Sequence, residues 1–195
     1  TMPEALMALL DSKEVKIDGF ILPGHVTAIT GTQVYRLAVQ KYPIPCVVSG
    51  FEPTDMLASI EMLVRQIKDL RSEIEIQYTR SVKPEGNPVA KKVMAEVFKP
   101  VDAFWRGLGK IPESGLAIRE IFEKYDAFQK FNLPEIMAIE PAGCRCGDVM
   151  RGSVLPEECA LFGKACSPEN PVGACMVSSE GACGIHYRYQ TLRNP

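Results

Sequence analysis

A chain of 195 residues accommodates one large domain, or one domain with a smaller appendage, and 46% hydrophobic with 24% charged residues suits a globular core. A net charge of -2 without any block of like charge leaves no electrostatic footprint for nucleic acid or an anionic membrane. The longest apolar runs, such as residues 18–26, are too short to span a bilayer, and the opening TMPEALMALL reads as an amphipathic helix rather than an export signal, so a cytoplasmic location is expected.

Residues 1–133 alternate helical and strand-like segments. Residues 3–14 place Leu6, Leu9 and Leu10 on one helical face. The short apolar run IDGFIL (17–22) stops at Pro23-Gly24, a turn signal, and a helical stretch then runs to about Tyr42. PCVVSG (45–50) reads as a second, buried strand. The clearest helix covers 54–71, with Thr54 as N-cap behind Pro53 and Leu57, Ile60, Val64 and Ile67 forming the apolar stripe of an amphipathic helix. EIQYTRSV (75–82) is a third strand, ended by the breaker-rich PEGNP, and a further helix covers 89–98. Strand, crossover helix and strand at this spacing predict βαβ units and a parallel sheet, hence an α/β domain. Only three or four parallel strands are supplied, which is thin for an open α/β sheet and leads us to expect that this domain is incomplete at its N-terminus. Around Trp105 the mixture of glycine and apolar residues gives no firm assignment beyond an extended chain, and IREIFEKYDAF (118–128) reads as helical.

Residues 134–195 change character. Glycine, proline and cysteine dominate and long periodic segments vanish. A segment with so little apolar material needs a metal or disulfides to hold it, so a small, irregular, cysteine-rich domain is expected to follow the α/β domain. Of the seven cysteines, Cys46 stands alone inside a strand and reads as a buried small hydrophobe, whereas Cys144, Cys146, Cys159, Cys166, Cys175 and Cys183 all lie in this tail. Clustered cysteines without an export signal point to metal or redox chemistry before a disulfide framework. Four thiolates suit an iron–sulfur cluster. Zinc is disfavoured by the single residue between Cys144 and Cys146 and by the lone nearby His186, yet a zinc- or disulfide-stapled module that docks a partner stays open.

The words around these cysteines are specific. Cys144, Cys159, Cys166 and Cys183 are separated by 14, 6 and 16 residues, within GCRCGDVMRG (143–152) and LFGKACSPENPVGACMVSSEGAC (161–183). Upstream stand GFILPGHV (19–26), GFEPTDML (50–57) and RQIKDLRSEIEIQYTRSVKPEGNP (65–88). In all of these the chain resembles the latter half of the HypD family of nickel–iron hydrogenase maturation factors. The resemblance implies a [4Fe-4S] cluster held by Cys144, Cys159, Cys166 and Cys183, with Cys146 and Cys175 as an extra redox thiol pair. It further implies an accessory scaffold and electron-transfer protein rather than a turnover enzyme. Such a scaffold works with a HypC-type chaperone and a HypE-type cyanide donor on a transient iron that carries cyanide and carbon monoxide. The family's N-terminal half supplies a further cysteine pair and an iron-holding cysteine with no counterpart in these residues, so the complete scaffold is not expected of this chain alone.

Single residues admit two readings. His25, just past a predicted strand, either caps the next helix or sits where ligands gather in open α/β sheets; the family's Pro-x-His-Val pattern implies a role in handling the iron. Glu180, three residues before Cys183, reads as a surface carboxylate, and the resemblance implies a role at the same iron centre. Glu52 and Asp55 either line the strand-end crevice or cap a helix. Trp105 reads as packing, and His186 either covers the cysteine group or closes the fold.

Overall fold

A computed structural model describes residues 1–12, 15–105, 107–134 and 141–190. It is a mixed α/β structure whose centre is a three-stranded parallel sheet in the order β1 (Phe20–Pro23), β2 (Cys46–Ser49), β3 (Ile74–Ile76). Phe20 pairs with Cys46, and Cys46 with Ile74. All four residues of β2 are buried, as expected of an unbroken apolar run in a central parallel strand.

The predicted helix after β1 is two helices, α2 (Gly24–Thr30) and α3 (Arg36–Lys41). The break is at Gly31, whose φ of 77° is open to glycine at little cost and which packs so closely on residues 84–86 that a side chain would meet the Pro84 carbonyl. Together with α1 (Met2–Asp11), α3 closes one face of the sheet over a core that includes Leu6, Leu10, Leu22, Tyr35 and Val48.

The other face carries α4 (Pro53–Lys68), and here the sequence reading is corrected. Thr54 lies inside the helix; the residue before it is Glu52, whose backbone N–H donates to Asp55 Oδ2 at 3.3 Å. The apolar stripe faces outward, and the helix rests on the sheet largely through polar side chains. Ser59 Oγ donates to Ser49 Oγ at 2.7 Å, and Gln66 Nε2 donates to Glu75 Oε2 at 2.7 Å while its Oε1 accepts from Glu73 N at 2.9 Å. Both side chains are wholly buried, and these bonds satisfy them there.

β3 is shorter than expected. After Ile76 the amides of Gln77 and Tyr78 both turn onto the Val48 carbonyl, and residues 78–82 form a turn instead of continuing the strand. α5 (Pro88–Val97) begins as expected, capped by Asn87 Oδ1 accepting from Ala90 N at 3.0 Å. An antiparallel hairpin follows, β4 (Phe98–Trp105) with β5 (Gly109–Ile118). Trp105 Nε1 donates across it to the buried Ser114 Oγ at 2.8 Å, which is a packing role. The predicted helix over 118–128 is a 3-10 turn, Glu120–Tyr125, and then a single helical turn, α6 (Ala127–Lys130).

Among the described residues the tail carries only short helices, α7 (Cys146–Met150), α8 (Ala174–Val177) and α9 (Ala182–Tyr189). It is fastened to the rest by Arg151, whose carbonyl accepts from Lys16 N at 3.0 Å and whose guanidinium donates to the Gly107 carbonyl at 3.3 Å. Among the described residues no helix is long and apolar enough to cross a membrane.

Candidate functional site

The tail brings its cysteines together. Cys146 opens α7, Cys159 follows a 3-10 turn, Cys166 closes the tight loop 161–166, Cys175 lies in α8 and Cys183 in α9. Cys146, Cys166, Cys175 and Cys183 form one buried cluster with Met176, and Cys144 packs against it. Cys159 is buried as well, its thiol 3.9 Å from the Gly143 carbonyl. The core of this region is therefore built largely of sulfur.

Local geometry keeps the sulfurs close. The Sγ atoms of Cys175 and Cys183 lie 3.0 Å apart. The Val172 amide donates to Cys166 Sγ at 3.4 Å. Gly173 lies so near Cys144 that a Cβ there would stand 2.5 Å from its Sγ, so any side chain at this position would displace the thiol. Gly173 was not singled out in the sequence, although a glycine two residues before Cys175 in a cysteine-rich turn is a readable signal.

Burial pushes the Cys144 and Cys183 thiols above the ordinary value of 9.0; hydrogen bonds from the Cys146 backbone and the Cys175 thiol, respectively, oppose it, and the charges of Cys146, Cys159 and Cys166 add to it at both. The same three neighbours acting on both places five sulfurs in one electrostatic neighbourhood. Buried, crowded thiols resist ionising by themselves; a soft cation removes that penalty, because it binds the thiolate and displaces the proton. Among the described residues no group of three or more His, Cys, Asp or Glu side chains is arranged to hold a single metal ion. Cys46 stands apart in β2, its thiol pushed up to about 12 by burial alone, which makes it inert, as read from the sequence.

A second constellation lies at the carboxyl ends of the three strands, where ligands gather in open α/β sheets. His25 is exposed and stacks on Phe51 with ring centroids 4.1 Å apart, and Tyr78 is tilted against it at 6.3 Å. Asp55, almost fully buried, accepts from both terminal nitrogens of Arg80, one bond measuring 2.8 Å, and from Gln77 Nε2 at 2.9 Å. Arg80, then Gln77, hold the Asp55 carboxyl well below the usual carboxylate range in spite of its burial. Arg80 also lies over the Tyr78 ring, 4.4 Å from its centroid. Asp55 thus serves both readings at once, bonding the start of α4 and anchoring the crevice. Gln77 and Arg80 escaped notice because residues 75–82 read as strand.

His25 and Glu180 are not joined. The ring contacts of His25 are with Phe51 and Tyr78, whereas Glu180 lies exposed in the turn before α9, its amide donating to Ser178 Oγ at 3.1 Å. His186 pairs through Nε2 with Glu157 and meets Phe162 edge-on at 5.6 Å, so it closes the tail beside the cysteine cluster, against which Phe162 packs.

Residues 1–190 match the family model HypD, described as "Hydrogenase formation hypA family". The hydrogenase maturation factor HypD of Rhodobacter capsulatus is 47% identical over 198 residues, covering 99% of this chain and 52% of that protein. HypD2 of Bradyrhizobium diazoefficiens is 43% identical over 199 residues, and HypD of Cupriavidus necator 44% over 199, each covering 98% of this chain and 52% of the relative. The chain thus spans about half the length of the curated relatives it matches. With a family match over residues 1–190 and relatives more than 40% identical along nearly the whole of it, the chain belongs to the HypD family of hydrogenase maturation factors.

Proposed function

We propose that this chain forms the cluster-binding part of a nickel–iron hydrogenase maturation factor, with Cys144, Cys159, Cys166 and Cys183 as ligands of a [4Fe-4S] cluster. The observation that carries this reading is the gathering of all six tail cysteines, five buried and one half-buried, in one small region. Such a cluster, when bound, supplies electrons singly at a potential set by its hydrogen bonds and exposure. Cys146 and Cys175 are the redox pair: reducing their disulfide takes two electrons and two protons and yields two thiols. His25, exposed at the strand ends, and Glu180, exposed beside the cysteine cluster, act on a transient iron bearing cyanide and carbon monoxide. HypC-type and HypE-type proteins bring that cargo, and the chain supplies the electron-carrying part of the cytoplasmic scaffold that receives it.

Alanine substitution tests the assignment one residue at a time, in chain prepared without oxygen. Cys144, Cys159, Cys166 and Cys183 variants are expected to lose iron and labile sulfide together, while Cys146 and Cys175 variants keep both. Loss from all six alike, or from none, contradicts the ligand set. The Cys175–Cys183 contact favours one second reading, a tail stapled by disulfides that docks a partner. Mass mapping that finds this bond in freshly isolated, metal-free chain competent in partner binding would support that reading instead.

A further inference from the structure

The outward stripe of α4 takes no part in the proposed function. Leu57, Ile60, Val64 and Ile67 are 67%, 47%, 58% and 44% exposed, although they are the most regular apolar series in the chain. Their spacing of three, four and three residues sets them along one line of the helix, about 15 Å long at 1.5 Å per residue. The opposite face is already committed, since Ser59 and Gln66 tie it to the sheet by hydrogen bonds. The helix therefore has two packing faces, and the more apolar one meets water. Continuous apolar surface of this kind marks an interaction site.

A narrow seam flanked by charged residues such as Glu61 and Lys68 fits one partner helix rather than a sheet or a broad surface. The length of the relatives says where that helix comes from. This chain spans 52% of each of them, so every full-length relative carries nearly as much polypeptide again. Size argues against a second copy of this chain, because four side chains on one helix offer far less than the roughly 800 Å² per partner of a stable dimer. A contact within one polypeptide does not bear the entropy of association and can be small. We propose that the outer face of α4 is an intramolecular packing face of the full-length family protein, closed by an amphipathic helix from the part of the polypeptide that lies beyond this match. The proposal rests on family membership and not on the cluster.

Hydroxyl-radical footprinting of this chain and of the full-length Rhodobacter capsulatus relative, each alone and each referred to its own denatured state, tests it. In this chain the four side chains are expected to react nearly as fast as in denaturant. In the relative, the aligned positions are expected to react several-fold more slowly. Equal, fast reaction in the relative would overturn the proposal and point to a separate partner. Protection in this chain that grows with concentration would overturn it too, in favour of self-association.

Discussion

The two regions of this molecule are held by different chemistry. The sheet region has an ordinary core, in which Leu22, Tyr35 and Val48 are buried to within a few per cent and cysteine contributes a single inert thiol. The tail's buried centre is Met176 among cysteines, with aliphatic side chains such as Val149, Leu161 and Val172 only partly buried around it. Hydrophobic burial stabilises the first region whatever the redox conditions. On the proposed reading, the second depends on what its sulfurs bind, as small domains with too little apolar material do.

The largest expected effect follows from removing that sulfur chemistry. In the Cys159→Ala variant, or after chelation, hydrogen exchange should lose protection across residues 141–190 while β2 keeps its own; equal protection in both states would show that the tail does not need its metal. Next comes the reverse experiment. Leu22→Ala should cost about 3 kcal/mol in unfolding of the sheet region, with iron content per folded chain unchanged. A matching loss of iron would mean that the two regions fold as one unit.

The crevice should respond to pH through Asp55. Its folded carboxyl is held below the ordinary value of 3.8, so its stabilising contribution is complete above that pH and fades as the pH falls below it. The melting-temperature gap between the native chain and Arg80→Ala should therefore narrow as pH drops below 3.8, and a gap independent of pH would contradict the ion-pair account. Asn87→Ala should cost about 1 kcal/mol, visible as fraying at the start of α5. Smallest of all, Leu57→Gln and Val64→Gln should each change the stability of this chain by less than about 0.5 kcal/mol, because both side chains already face water. A large loss there would return the stripe to the core.

How far the sequence could be read differs between the regions for the same reason. β2 was legible because CVVS is apolar without interruption, and α5 because the breaker-rich PEGNP sets it off from what precedes it. α4 was legible as a helix but not in its rotation: periodicity finds an apolar stripe, and it cannot tell whether the sheet receives that stripe or Ser59 and Gln66. The end of β3 was overrun because Gln77 and Tyr78 have strand-like neighbours, while their amides are claimed by one carbonyl across the sheet. The β4–β5 hairpin went unassigned because Pro100, Gly109, Pro112 and Gly115 mask the alternation that marks strands. In the tail the gathering of cysteines was plain from their number, whereas the contact of Cys175 with Cys183 depends on how α8 and α9 pack, which spacing does not encode.

The central claim is that the tail is organised by a [4Fe-4S] cluster, and iron together with acid-labile sulfide in chain purified without oxygen tests it most directly. The account expects about four irons and four sulfides per chain, with a matching visible absorption band. About one zinc per chain and no sulfide would contradict it, leaving a structurally stapled tail beside an α/β region whose role would have to be argued anew.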